Sequence, residues 1–361
     1  MDTGTILNRA LKNAQKENID LHRQMLELIR EVHRIKSTWI EPAKAKVLYQ
    51  RVTATQRGWA EEKRLTQALK TQIRALEVAL AACQEGQAVT IPKTGSTTVA
   101  NLLYSVCEEN KVFSLFINTT KNSPILTYAN QVELVRNISN WNLVKPAFYH
   151  GHVAYLDFAK YGYKQPVYIN FVRLPLERLV SYYYFLRFGD DYRPHVKRSR
   201  MKNKKIQHET FDECVANGGP DCQTKYLWLQ IPFFCGQAFY CWEEGNSKAL
   251  ETAKQNLLEK YAFVGITEDI RGGIAVLQSM FPRFFRGTLS FYDEGGKISH
   301  LRQTKQKKSI LPETLKIIQS TKTWKMEQEF YNFAKDQYRS NIDFISGRGK
   351  SQSFKYIKIR P

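Results

Sequence analysis

The chain has 361 residues, 43% of them hydrophobic, which allows one substantial core with an appended segment and excludes global disorder. Its 54 Lys and Arg against 34 Asp and Glu give a formal net charge of +20. A field of this sign attracts nucleic acid, acidic membranes and sulfated glycans alike, and a basic surface that only serves solubility is the alternative.

Residues 5–86 predict helices, because they are polar, rich in Gln, Glu, Lys, Leu and Ala, and nearly free of Gly and Pro. Two apolar stripes with steps of four and three residues occur at 21–35 and 69–83. They predict either a coiled-coil stalk that oligomerises or an amphipathic helix packed on its own domain. We therefore assign residues 1–86 to a helical or coiled-coil extension and residues 87–361 to a separate domain.

The sequence beyond this extension alternates strand and helix patterns. Short apolar runs at Val112–Ile117 and Val167–Val172 predict buried parallel strands, each followed after a turn by helical periodicity. Further strand and helix candidates are Ala147–Tyr149, Asn256–Phe263, Ile270–Met280 and Lys325–Tyr338. The pattern predicts an α/β fold with a doubly wound parallel sheet and phosphate-binding loops.

Residues 92–98, Pro-Lys-Thr-Gly-Ser-Thr-Thr, predict a phosphate cradle that opens a helix, whose free N–H groups and dipole favour an anion. Gly95 lets the backbone approach the anion, Ser96 and Thr97 add hydroxyl donors, and Lys93 adds a positive charge. Here the lysine precedes the glycine, so the spacing of a P-loop NTPase is absent. An ordinary Ser/Thr-rich helix cap is the alternative interpretation.

Two further groups of residues indicate chemistry beside the cradle. Arg173 ends the second strand and Ser181 follows on the next helix, which predicts a second anion site. His150 and His152 flank Gly151 just after the strand-like residues 147–149. An imidazole titrates near neutrality and can act as a base, whereas a structural histidine is the alternative.

Four of the six cysteines form two close pairs, Cys214 with Cys222 and Cys235 with Cys241. They predict two disulfides, with buried free thiols as the alternative, because closely set metal-ligand pairs are absent. Sequons at Asn118 and Asn137 also predict a secretory compartment with N-glycosylation. No run approaches the roughly 20 apolar residues that span a bilayer, and no signal pattern opens the chain. We therefore expect an N terminus that is truncated, alternatively spliced or wrongly assigned.

The cradle and, eighty residues after Lys93, the run Arg-x-Pro-x-x-Arg-x-x-Ser at 173–181 resemble the two nucleotide sites of PAPS-dependent sulfotransferases, where PAPS is 3′-phosphoadenosine 5′-phosphosulfate. The sequence is more similar still to heparan sulfate 2-O-sulfotransferases, through residues 148–153, 177–194 and 228–236. The resemblance covers roughly residues 91–338. It implies the sulfotransferase fold, a P-loop-like central parallel sheet flanked by helices. The implied reaction is sulfuryl transfer from PAPS to the 2-hydroxyl of hexuronic (iduronic) acid in heparan sulfate.

The resemblance also implies a role for each site residue. His152 is the base, His150 assists acceptor binding, and Lys93 lies at the sulfuryl group, with no metal required. Thr94, Gly95, Ser96 and Thr97 would cradle the 5′-phosphate, and Arg173 and Ser181 would hold the 3′-phosphate. A closing loop over the nucleotide would contain Tyr292, Ser299, Thr304 and Lys307.

Basic residues after the second anion site are the candidates for acceptor binding, because their charges suit the sulfates and carboxylates of a glycan. They are Arg193 and Arg198, with Lys197, Arg200, Lys202, Lys204, Lys205 and, in the tail, Lys358. A solvated charged face is the alternative for the members beyond the first two. By resemblance the protein is a homotrimer, anchored as a type II membrane protein in the Golgi lumen.

Two positions depart from the family pattern. Thr90 stands where the strand before the cradle carries an acceptor-contacting arginine, which predicts a shortened or replaced first strand. Leu174 stands where an aspartate follows Arg173. Two alternatives therefore accompany the enzyme: a catalytically impaired heparin-binding or scaffold homologue, and a uronyl 2-O-sulfotransferase acting on dermatan or chondroitin sulfate. Nucleic acid ranks third, because no basic-aromatic stacking motif is present.

Overall fold

The computed structural model describes Thr94, residues 96–119, 123–189 and 204–294, Thr304, and residues 306–345. All of them belong to one compact unit. The predicted N-terminal helices lie outside the described residues. So do several residues singled out from the sequence: Thr90, Lys93, Gly95, Arg193, Lys197, Arg198, Arg200, Lys202, Ser299 and Lys358.

Among the described residues, four strands form two parallel pairs. Strand β1, Phe113–Ile117, pairs with β2, Ala147–Gly151, and β3, Tyr168–Val172, pairs with β4, Tyr261–Ile266. The predicted α/β fold with parallel strands is present, but the described strands form two sheets rather than one. A P-loop-like sheet carries its cradle at the end of a strand, and the residues in that position, 87–91, lie outside the described part.

Helices follow the strands on both sheets. Their bounds are α1 Ser96–Val106, α2 Tyr128–Asn140, α3 Pro175–Phe188, α4 Lys204–His208, α5 Phe211–Ala216, α6 Gln230–Cys235, α7 Ser247–Lys260, α8 Ile270–Met280, α9 Pro282–Phe285, α10 Thr288–Glu294, α11 Pro312–Ser320 and α12 Lys322–Ile345. Short 3₁₀ turns occupy Asn142–Val144, Phe158–Tyr161, Pro220–Cys222, Thr224–Tyr226, Phe239–Trp242 and Thr267–Asp269.

The two predicted strands differ in burial. All five residues of β3 are buried, as predicted for a buried parallel strand. The prediction was wrong for β1, where Phe113 and Phe116 are 47% and 56% exposed. Within the described part of the chain each of these strands pairs on one side only, β1 with β2 and β3 with β4, so strand pairing alone does not account for the difference in burial.

Aromatic rings form much of the core that joins β3 and β4 to the helices. The ring of Tyr168 lies 5.5 Å from that of Tyr261, and Phe234 of α6 lies 4.5 Å from Tyr261. Phe330 of α12 continues the chain of contacts at 4.9 Å from Phe234. Each such ring removes a large apolar area from water, on the order of 150–250 Å². These contacts fix helix α12 against the sheet of β3 and β4, and β3 leads into the second anion site.

Both predicted disulfides form. Cys214 and Cys222 are linked with Cα atoms 6.1 Å apart, and Cys235 and Cys241 with Cα atoms 5.6 Å apart. All four sulfurs belong to buried residues. The first bridge closes the turn after α5, and the second ties the end of α6 to the following 3₁₀ turn.

Two kinds of feature are absent from the described residues. No helix among them is long and apolar enough to cross a membrane. The same residues contain no group of three or more His, Cys, Asp or Glu side chains placed to hold a metal ion.

Candidate active site

The N terminus of α1 is the described part of the phosphate cradle. Thr94 is fully buried, and the helix begins two residues later at Ser96. Val99 and Leu103 bury the inner face of the helix in the core. The first N–H groups of a helix have no partner inside it, and its dipole favours an anion there. The cradle is therefore built on a well-anchored element, while the side chains of Ser96 and Thr97 lie outside the described part.

His150 lies on β2 and contacts α1. The hydroxyl of Tyr104 is hydrogen-bonded to Nε2 of His150, and the two rings meet edge to face with centroids 5.3 Å apart. The ring of Phe116 lies 5.2 Å from the imidazole. Burial lowers the pKa of His150 from 6.5 to about 4, so this imidazole is neutral at neutral pH.

His152 is half-buried and lies just beyond the end of β2. The residue between the two histidines must be glycine for a steric reason. A Cβ on Gly151 would lie 2.7 Å from the carbonyl oxygen of Ile117 and 2.8 Å from its Cβ. Only glycine permits so close an approach of β1 to this backbone, which carries both histidines.

Glu177 and Ser181 are four residues apart and lie on the same face of α3, and Arg173 precedes the helix by two residues. These three residues are named here the α3 stripe. Oγ1 of Thr304 lies 2.9 Å from Oγ of Ser181. These two hydroxyls are 123 positions apart in the chain. The structure thus brings a predicted closing-loop residue onto a predicted 3′-phosphate ligand.

Glu177 lies between two predicted nucleotide ligands. Its Oε2 is 3.9 Å from Nη2 of Arg173, and the same oxygen accepts a hydrogen bond from Nζ of Lys307. The carboxylate therefore neutralises part of the positive charge that this site offers to an anion. No sequence motif indicates a role for Glu177 or for Tyr104. The spacing of four residues from Arg173 was the available signal for Glu177, whereas Tyr104 meets a partner 46 residues away.

Tyr292 lies on α10, a helix that packs against α1 and α8. Burial raises the pKa of its hydroxyl. The next residue, Asp293, accepts two hydrogen bonds from Arg271, of 2.8 and 2.7 Å. The helix that carries Tyr292 is thus held beside the cradle helix.

A cleft of about 520 Å³ opens beside the α3 stripe. Glu177 and Lys307 line its polar side, and Leu174 and Trp324 are among its apolar lining residues. The cleft therefore shares Glu177 and Lys307 with the anion site.

The remaining predicted residues lie on the surface. Lys204 and Lys205 are exposed in α4, and they are the members of the predicted acceptor-binding set that the structure describes. Asn118 is exposed just after β1, and Asn137 is exposed on α2. Both sequon side chains are therefore accessible to a modifying enzyme.

Comparison with protein families defines the class to which this fold and site belong. The model of the sulfotransferase family matches residues 88–334, and the chain belongs to that family. It is therefore a sulfotransferase, and the family implies PAPS as the sulfate donor.

Particular relatives are similar over most of their length. Heparan sulfate 2-O-sulfotransferase 1 of Gallus gallus is 53% identical over 279 residues, covering 75% of this chain and 77% of the relative. The protein of the same name from Homo sapiens is 52% identical over 279 residues with the same coverage. Heparin sulfate O-sulfotransferase of Drosophila melanogaster is 48% identical over 274 residues, again covering 75% and 77%.

Proposed function

We propose that this chain transfers a sulfuryl group from PAPS to the 2-hydroxyl of a hexuronic acid, iduronic acid by resemblance, in heparan sulfate. The observation that carries the proposal is the convergence on the α3 stripe. Two distant parts of the sequence meet here: Thr304 contacts Ser181, 123 positions away, and Lys307 contacts Glu177, which also pairs with Arg173. Relatives about 52% identical are heparan sulfate 2-O-sulfotransferases, which supports the acceptor.

The described residues fit a nucleotide that carries a 3′-phosphate. Two cations and two hydroxyls offer charge-assisted and neutral hydrogen bonds within one small region. A bound phosphate would compete with Glu177 for Arg173 and Lys307. The 5′-phosphate would lie at the start of α1, with Thr94, Gly95, Ser96 and Thr97 around it and Lys93 at the sulfuryl group.

His152 and His150 would have different roles at the acceptor hydroxyl. PAPS, when bound, supplies the sulfuryl group together with a nucleotide phosphate as the leaving group. A ring nitrogen of His152 would take the proton from the acceptor hydroxyl. His150, neutral because burial lowers its pKa, would orient the acceptor through hydrogen bonds without adding charge. Arg193, Arg198, Lys204, Lys205 and Lys358 would bind the sulfates and carboxylates of the glycan.

The cellular setting is also part of the proposal. By resemblance, the protein acts as a homotrimer in the Golgi lumen, anchored as a type II membrane protein. The two disulfides and the exposed Asn118 and Asn137 support a secretory compartment, where disulfides persist and sequons are glycosylated.

A transfer assay tests the proposed reaction. The purified chain is incubated with radiolabelled PAPS and an acceptor panel of 2-O-desulfated heparan, dermatan and chondroitin, followed by disaccharide analysis. We expect label at the 2-O position of heparan hexuronic acid. His152→Ala should lower kcat by about 100-fold or more, the loss typical of a removed general base, without weakening PAP binding.

A matched substitution and two other results complete the test. His22→Ala, in the N-terminal extension, should leave kcat unchanged. Label confined to dermatan or chondroitin would favour the uronyl 2-O-sulfotransferase instead. Heparin binding without PAP binding or transfer in the parent chain would favour the catalytically impaired scaffold.

A further inference from the structure

The backbone that follows β3 is held by side chains from other elements. The N–H of Arg173 donates to Oε1 of Gln230 at 2.8 Å, and the carbonyl of Arg173 accepts from Nε2 of the same side chain at 2.9 Å. The N–H of Leu174 donates to Oε1 of Glu268 at 2.9 Å. Three consecutive backbone groups at the start of the α3 stripe are thus fixed by two side chains, from α6 and from the turn after β4.

Helix α12 supports both of those side chains. Nε2 of Gln230 also donates to Oε2 of Glu327 at 3.4 Å, and the hydroxyl of Tyr331 donates to Oε2 of Glu268 at 3.0 Å. Glu327 and Tyr331 are four residues apart, so they face the same side of the helix. The second oxygen of Glu327 accepts the backbone N–H groups on either side of Gln230, at 2.9 and 3.1 Å.

Burial restricts the movement of the side chains that hold the backbone of Arg173. Gln230 and Glu327 are both 0% exposed. A buried polar group that loses its partner keeps the full desolvation penalty, so these side chains have little freedom to shift. The neighbouring Leu174 carries no charge that could orient the guanidinium of Arg173. Glu177 forms only a loose ion pair with Arg173, at 3.9 Å and beyond hydrogen-bond distance, so the fixed backbone adds to what determines the direction of the arginine.

We propose that Gln230, Glu268, Glu327 and Tyr331 form a positioning frame that aims Arg173 at the 3′-phosphate of the nucleotide. The inference rests on the proposed function, in which Arg173 binds that phosphate. All four residues act through Arg173 and are positioning residues. Their effect should therefore appear in the recognition of one phosphate group and not in nucleotide binding as a whole.

Paired affinities isolate that effect. The dissociation constants of PAP and of 5′-AMP, which lacks the 3′-phosphate, are measured on the full chain, and their ratio reports the contribution of the 3′-phosphate. Tyr331→Phe removes a single hydroxyl, and Gln230→Met removes both bonds to Arg173 at similar volume. We expect each to reduce the discrimination in favour of PAP by about threefold to tenfold, the loss of a misaligned charge-assisted hydrogen bond.

Two further variants make each outcome decisive. Gln165→Met removes a comparable clamp on the loop at Phe158 and should leave the discrimination unchanged while lowering stability. An equal loss in Gln165→Met would overturn the frame as a specific device. If Arg173→Ala reduces the discrimination but neither frame variant does, the frame is wrong and the proposed function stands. If Arg173→Ala leaves it unchanged, the phosphate assignment itself fails.

Discussion

At the scale of single residues, His150 shows how burial selects a protonation state. A charged imidazole would have to give up water among Tyr104, Phe116 and Phe148, whose rings lie 5.3, 5.2 and 6.1 Å away. The neutral ring instead shares a hydrogen bond with the hydroxyl of Tyr104 at Nε2, which either tautomer of the ring can form. Such a ring can orient an acceptor but holds no charge near neutral pH.

An NMR titration checks this state. We expect the side-chain resonances of His150 to stay constant across the neutral range and to move only near pH 4. His150→Gln identifies the resonance by its loss. Tyr104→Phe removes the hydroxyl partner and should change the chemical shifts without bringing a charged ring to neutral pH, because burial is the cause of the low pKa. A midpoint near the ordinary value of 6.5 would contradict the assignment.

Residues in contiguous motifs could be predicted from the sequence, and residues that act across the fold could not. Arg173 and Ser181 belong to one run of nine residues, so a local pattern reveals them. Gln230 meets Arg173 57 positions away, and Glu327 meets Gln230 97 positions away. Nothing local distinguishes these side chains from an ordinary polar residue near a helix end, and only the packing of α6 and α12 gives them a role.

At the scale of elements, the approach of β1 to β2 depends on one glycine. Gly151→Ala would place a methyl group against the backbone oxygen and Cβ of Ile117, at 2.7 and 2.8 Å. Backbone atoms cannot move aside as a flexible side chain does, so the strands must separate. We expect a loss of about 1–3 kcal/mol in the free energy of unfolding, measured by urea denaturation, together with shifted His150 resonances.

A substitution at a second glycine, Gly162, distinguishes the effect of steric crowding from that of backbone strain. Gly162 has a φ of +79°, and a Cβ there would meet nothing within 4 Å. Gly162→Ala should therefore cost about 1 kcal/mol through the left-handed conformation alone. It should leave the resonances of His150 unchanged. Equal effects of the two substitutions on His150 would show that the β1–β2 contact does not hold the histidine backbone.

Element boundaries were less predictable than the elements themselves. Asn256–Phe263 was a strand candidate, but helix α7 continues to Lys260 and the strand begins at Tyr261. Leu250, Ala253 and Leu257 are buried at helical spacing, so the residues before Tyr261 belong to the helical face. Helix α12 likewise starts before the predicted Lys325, because the hydroxyl of Thr321 accepts the N–H of Trp324 and caps it.

At the scale of the whole molecule, one core joins the strand of the histidine site to the strand that leads into the anion site. Phe148 of β2, Phe171 of β3, Phe263 of β4 and Phe330 of α12 are all buried in the same cluster. Sulfuryl transfer needs the acceptor base and the donor site at a fixed separation, and a shared core supplies it. The sequence predicted the two parallel segments separately. Their union depends on aromatic contacts between distant residues, for which no local pattern exists.

The buried carboxyl group of Glu327 makes the free energy of unfolding depend on pH. Burial raises the pKa of Glu327 from 4.5 to about 7, while the positive charge of Arg178, two backbone N–H groups and Gln230 act in the opposite direction. Because the folded-state pKa is the higher one, the protonated acid favours the folded state. That stability is fully present below pH 4.5 and is lost as pH rises towards 7. A change from 4.5 to about 7 corresponds to on the order of 3 kcal/mol.

Glu327→Gln removes the titration and keeps the shape. Its amide oxygen can still accept the two N–H groups, and its amide nitrogen would face Nε2 of Gln230. We therefore expect the wild-type chain to lose its stability advantage over this variant by on the order of 3 kcal/mol between about pH 4.5 and 7, measured by urea denaturation. All other titrating groups are common to both proteins and cancel in the difference. A difference that stays constant with pH would mean that Glu327 remains ionised in the fold, held by Arg178 and its three donors.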